Sequence, residues 1–250
     1  MGKNEVTVKE ETTVVAAETP AMAVDISPSD MMVPYLKVIQ SLADEVTPGK
    51  DKYNKDVRPG DIYDSVTRMV FKDAKVIICG VKKYYAEWTP EVRGKLVAKH
   101  KPDSAVVTGA VKVEKVSDKG NNYFTLQTAS GNDLIETYGV VMLVKMDGLT
   151  MPAVLTLSKT GFIVGKQLST MLVIHQNKGV PVFTLSTSTS SNSKGSWFKP
   201  AFAFDSYETD ESVIKAAQGM LPYVDGLLFN NLNSDEGSAS VNTDEDNEIF

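Results

Sequence analysis

From Arg58 to Leu157 the chain is a series of short runs rich in β-branched residues, separated by turns built on glycine, proline or asparagine, and this alternation restricts it to strands laid side by side. The runs are Val70 to Val81, Ala105 to Val116, Tyr123 to Thr128, Leu134 to Val144 and Ala153 to Leu157. The series opens after the turn Arg58-Pro59-Gly60-Asp61. Asp118-Lys119-Gly120-Asn121 and Ser130-Gly131-Asn132-Asp133 supply hairpin chemistry, since Gly and Asn tolerate positive φ. The pattern predicts a β-meander.

From Thr160 the period changes. Val164, Leu168, Met171, Leu172 and His175 fall on one helical face, with His175 packed among them. Two more strands follow, Val180 to Ser188 and Ser196 to Asp205, around the polar loop Ser190-Ser191-Asn192-Ser193-Lys194-Gly195. Thr209-Asp210-Glu211 then caps a helix that carries Val213, Ile214, Ala217 and Leu221 on one face. Upstream, Met32 to Gln40 is apolar and fits a short helix or an edge strand. Residues 1–28 and 230–250 lack the apolar content to offset chain entropy and are expected to be disordered. The domain is therefore 29–229, mainly β (α+β), of the OB-like, partly open Greek-key barrel type with insertions and one or two packed helices.

The net charge of −6 conceals a division. Residues 216–250 hold seven acids and no Lys or Arg, and residues 1–28 carry −3, which leaves +4 on residues 29–215. The middle is basic and both ends are acidic. Cys79, the single cysteine, lies in an apolar run and is read as core, and no stretch has the roughly 20 apolar residues that a membrane span needs. No basic-then-apolar leader is visible at the N-terminus, so the expected compartment is the cytoplasm.

Three places carry recognisable chemistry. In Lys82-Lys83-Tyr84-Tyr85-Ala86-Glu87-Trp88, continuing through Arg93, Lys95, Lys99, His100 and Lys101, cations alternate with flat aromatic faces. Single-strand binding needs that mixture: cations neutralise phosphates while rings stack bases without reading sequence. Tyr84 and Trp88 share one face of a strand and Tyr85 takes the other. The second place is Lys194 to Phe202, where Phe198 and Phe202 point to the core and Trp197 and Lys199 point away. Lys159 and Lys166 flank a helix start that offers free N–H groups to phosphate. The third is the ending, in which Asp244, Glu245, Asp246 and Glu248 run into Ile249 and Phe250. A pocket with an apolar floor and a basic rim would bind both features. Asp61 with Asp64, or Asp103 with Glu114 and Lys115, can be drawn as a metal-nuclease pattern, but such spacings occur by chance. With two histidines, no nucleophile motif and no phosphate-cradling glycine loop, the expectation is a non-enzyme without metal or cofactor.

The segments Val33 to Gln40, Tyr84 to Trp88, Pro181 to Phe198 and the acidic ending at Phe250 resemble bacteriophage single-stranded DNA-binding proteins of the T7-like replication class. The resemblance implies an OB fold and sequence-independent coating of single-stranded DNA in replication, recombination and repair. It also implies tail-mediated contact with a phage or host polymerase and helicase/primase in the host cytoplasm. The DNA-contact set is then Lys82, Lys83, Tyr84, Tyr85, Trp88, Arg93, Lys95, Lys194, Trp197 and Lys199, on a protein with no membrane partner and scope for a homodimer. The competing expectation is a β-rich virion structural or interaction protein.

Overall fold

The computed structural model describes residues 32–91, 94–116, 122–146, 148–192 and 195–229, so the expectations for 1–28 and 230–250 lie outside it. Among the described residues eleven strands join in one sheet. They are β1 (Tyr35–Val38), β2 (Ile62–Asp64), β3 (Val70–Phe71), β4 (Ala74–Trp88), β5 (Leu96–His100), β6 (Val111–Val116), β7 (Asn122–Gln127), β8 (Asp133–Met146), β9 (Leu149–Ser158), β10 (Pro181–Asn192) and β11 (Gly195–Tyr207). The helices are α1 (Ala105–Thr108), α2 (Phe162–His175), α3 (Glu211–Met220) and α4 (Val224–Phe229). The spatial order is β11-β10-β4-β8-β9-β1-β2-β3, with β5 beside β4 and the β6–β7 hairpin joined to β8. β1 and β9 run parallel, over Tyr35↔Val154 and Leu36↔Leu155.

β4 and β8 pair along nearly their whole length. Cys79 is the extra residue of a bulge between Ile78 and Gly80, and a bulge bends its strand and adds twist. The sheet curls into a half-barrel, and polar side chains connect its two ends. The Gln40 amide, just past β1, donates to the Phe198 carbonyl of β11 at 2.7 Å and accepts from the Phe198 N–H at 3.0 Å. Thr187 of β10 donates to the Gly60 carbonyl at 2.6 Å.

Side chains alternate across the sheet into two cores. Val76, Val140, Met142, Val144, Leu155, Leu157 and Phe183 pack with Val164 and Leu168 of α2. Ile77, Cys79, Val141, Leu143, Val154 and Val182 pack with Ala217 of α3 and with Val224 and Leu228 of α4. The central strands are buried on both faces, which is why Val140 to Val144 is apolar without a break. Cys79 is a core residue, and burial pushes its thiol pKa up to about 11.

Three segments depart from expectation. Val70 to Val81 is not one strand: the chain bends at Lys72 and Asp73, so Val70 and Phe71 pair with β2 as β3 while β4 begins at Ala74. Ala105 to Thr108 is one helical turn and not the start of a strand, because the Ser104 side chain caps it by accepting the Val107 N–H. Capping outranks the β preference of Val106 and Val107. Leu96 to His100, charged and unassigned to any strand, pairs with β4 as β5. The segment around Met32 to Gln40, left between helix and strand, contains β1 and no helix. Among the described residues no helix is long and apolar enough to cross a membrane.

Gly139 of β8 marks where α4 docks: a Cβ there would stand 2.6 Å from Leu228 Cδ2 and 2.9 Å from Tyr84 Cε1. Gly139→Ala should cost about 1–3 kcal/mol in urea unfolding, as overpacking does elsewhere. Unchanged stability would mean that α4 does not seat on the sheet this closely.

Candidate nucleic-acid interface

Past the bulge, β4 sends Lys82, Tyr84, Ala86 and Trp88 to one face and Lys83, Tyr85 and Glu87 to the other, so the aromatic-basic segment is divided between two environments. On the first face α4 covers the strand. Tyr84 is fully buried, with its ring 5.8 Å from Phe229 in an edge contact. It cannot stack a base while α4 is in place, which corrects its assignment as a contact residue. Lys82 and Lys101 share Asp225 of α4 at 3.5 and 2.9 Å. The hydrogen bond from Lys101, with the Lys82 charge beside it, holds the Asp225 carboxyl below its ordinary pKa. Lys99 Nζ lies 5.4 Å from the Tyr35 ring and 5.7 Å from the Tyr84 ring.

The second face is different. Lys83 meets the start of α2, where Phe162 packs on Tyr138 of β8 with centroids 4.9 Å apart. Lys83 Nζ is 5.8 Å from the Tyr85 ring and 6.0 Å from the Phe162 ring, and Lys166 Nζ is 5.1 Å from the Phe162 ring. Both lysines are exposed and the three rings are half-buried. Glu136 sits among them, ion-paired to Lys83 and accepting from the Tyr85 hydroxyl at 3.2 Å. The hydrogen bond to Glu136 raises the Lys83 pKa, and burial raises that of Tyr85. Gly165 permits the arrangement, since a Cβ there would lie 2.5 Å from Tyr138 Cδ2. Two cations beside the Phe162–Tyr138 pair, with Tyr85 within reach of Lys83, can take a phosphate and stack a base in one place.

The remaining predicted contacts lie elsewhere. β4 and β10 pair only from Ala74↔Leu185 to Ile77↔Val182, and the strands run in opposite directions from that ladder. Trp88, half-buried and level with Asp133, is therefore at one end of the sheet, while Trp197, level with Ser190, is at the other. They do not form one groove. Lys199, level with Ser188, lines a shallow cleft with Lys37, Glu45 and Phe198, where β1 parts from β9. Lys95 is exposed, and its backbone N–H donates to Thr89 at 2.8 Å. Arg93, Lys194 and the tail residues Asp244, Glu245, Asp246, Glu248, Ile249 and Phe250 lie outside the described residues.

Tyr138 and Phe162 were not legible as site residues. The available signal was the i,i+4 spacing of Phe162 and Lys166 at a helix start. His175 packs as expected, stacked on Phe204 at 4.1 Å with Nδ1 2.7 Å from the Tyr207 hydroxyl. The nuclease-like carboxylates do turn work: Asp64 accepts the Val66 and Thr67 N–H groups, and Asp61 accepts that of Arg58. Among the described residues no three metal-ligating side chains cluster.

Glu87 braces the β4–β5–β8 corner, 2.6 Å from His100 Nε2 and accepting from Asn132 at 2.7 Å. Burial pushes its pKa up, but these hydrogen bonds outweigh that and hold it below the ordinary 4.5. As pH falls the unfolded chain takes up this proton first, so the stabilisation is whole above about 4.5 and is lost as pH drops through the lower folded value. Glu87→Gln should flatten the acid limb of the stability–pH curve below pH 5, as followed by urea unfolding. An acid limb identical to that of the parent protein would rule out this contribution.

Against known proteins, a family model described as Pam3 phage gp34-like protein matches residues 9–227. No curated protein and no solved structure matches the chain. The matched span takes in every strand, the helices α1 to α3 and both faces of β4. The chain therefore belongs to the Pam3 phage gp34-like protein family.

Proposed function

We propose that this phage protein binds single-stranded DNA without sequence preference, with Lys83, Tyr85, Tyr138, Phe162 and Lys166 as the centre of contact. One observation carries the reading: exposed ammonium groups lie within 6.0 Å of aromatic rings on a sheet face beside a helix start. Rings supply sequence-tolerant stacking worth on the order of 1–3 kcal/mol per base, and the lysines neutralise the backbone beside them. On this reading the half-barrel is an elaborated OB-type barrel, and Lys199, in the cleft that Thr160 and Gly161 also line just before α2, guides the strand beyond the central patch. The acidic tail ending at Phe250 recruits polymerase or helicase/primase and competes with DNA for the same lysines. The protein acts in replication and recombination in the host cytoplasm and does no chemistry of its own.

The test is fluorescence anisotropy of labelled oligo-dT with the full chain over a range of salt. If Lys83 and Lys166 neutralise the phosphates, log affinity falls with log salt at a slope of about −1.4, from about −0.7 per phosphate. Phe162→Ala should weaken binding roughly 5- to 100-fold, and Glu136→Gln should strengthen it by freeing Lys83. Absence of binding at low salt would overturn the proposal. Binding untouched by Phe162→Ala would move the contact away from this patch.

A further inference from the structure

The β6–β7 hairpin stands apart from both cores. It joins the sheet only through Leu126↔Leu134 and Gln127↔Asp133, while its own strands pair from Val111↔Gln127 to Val116↔Asn122. β6 has β7 on one side and no strand on the other among the described residues. Val111, Val116 and Phe124 are 58, 66 and 52% exposed on this ribbon. A two-stranded ribbon is marginal by itself, and an unblunted edge strand offers a row of free backbone donors and acceptors. β6 contains no proline, glycine or bulge, and its charges, Lys112, Glu114 and Lys115, discourage a further strand only in registers that set like charges opposite.

We infer that β6 pairs antiparallel with β6 of a second copy about a two-fold axis through Val113, which extends the hairpin into a four-stranded sheet. Charge selects this occupant and this register. With the axis at Val113, Lys112 of each copy stands opposite Glu114 of the other, giving two equivalent opposite-charge pairs. A two-fold axis of an antiparallel pair passes through a residue, because opposed residues share a face. Moving it to Glu114 opposes two carboxylates, and moving it to Lys112 or Lys115 opposes two ammonium groups. Lys112 also sits over the Phe124 ring at 4.4 Å, and Glu114 is level with Phe124, so the new pairs lie on the face where the exposed aromatic needs cover.

Sedimentation velocity of the full chain over a concentration series tests this, with no dependence on the DNA-binding proposal. The parent protein should self-associate to a dimer. Lys112→Glu and Glu114→Lys should each raise the dimer dissociation constant by about tenfold or more, since each places like charges opposite at two positions. The double variant Lys112→Glu/Glu114→Lys re-forms both pairs with reversed sign and should restore the dimer, which also excludes misfolding as the cause of the single-variant losses. A parent protein that is monomeric throughout would overturn the inference, as would a dimer indifferent to the single swaps. A monomer whose oligo-dT affinity falls with Lys112→Glu and rises with Glu114→Lys would overturn it as well, and would assign the ribbon to DNA.

Discussion

The ladder between β4 and β8 determines where every other part of the molecule can attach. Its pairs run from Lys75↔Lys145 to Trp88↔Asp133, and for its central stretch both faces are closed by helices. Such a ladder tolerates no slip of one residue, because a slip would send Val140, Met142 and Val144 into the space of Val141 and Leu143. The bulge at Cys79 shifts the register once, and β4 beyond it directs Lys82 and Lys83 to opposite sides. The two adjacent lysines therefore work in different settings, Lys82 against α4 and Lys83 against α2.

Glycines adapt the two faces to their helices. At Gly80 a Cβ would meet Val224 at 2.8 Å, so α4 can press against the strands at that point and at Gly139. The result is a buried Tyr84 and a carboxylate, Asp225, delivered onto Lys82 and Lys101. On the α2 side the glycine belongs to the helix, and Tyr138 fills the gap and supports Phe162 from beneath. One face is sealed by its helix. The other keeps its rings at the edge of the helix and in reach of solvent.

Much of the fold was legible because period and turn chemistry agree locally. The apolar run at Val140, the helical face from Val164 to His175 and the Asp210 cap, which accepts the Ser212 N–H at 2.8 Å, all follow from neighbours in sequence. What was not legible depends on partners far along the chain. Whether Tyr84 or Tyr85 faces solvent is set by α4, some 140 residues later, and the alternation of β4 alone is symmetric between them. Tyr138 and Phe162 carry no mark of a site until β8 and α2 bring them together. The separation of Trp88 from Trp197 follows from the short β4–β10 ladder, which composition does not encode.

The distribution of acids decides how a polyanion would be met. Several cations that could attract DNA are already engaged: Lys75 with Asp205, Lys82 and Lys101 with Asp225, Lys83 with Glu136, Lys115 with Asp133 and Lys145 with Glu208. A phosphate reaching Lys83 replaces a carboxylate instead of meeting a bare charge, and that exchange contributes little net Coulomb energy at an exposed site. Stacking on Tyr85, Tyr138 and Phe162 must then carry most of the affinity in the proposed mode, with charge setting position and approach. A surplus of +4 over residues 29–215 is consistent with such a binder, in which several lysines hold strands and helices together and the rings supply the contact.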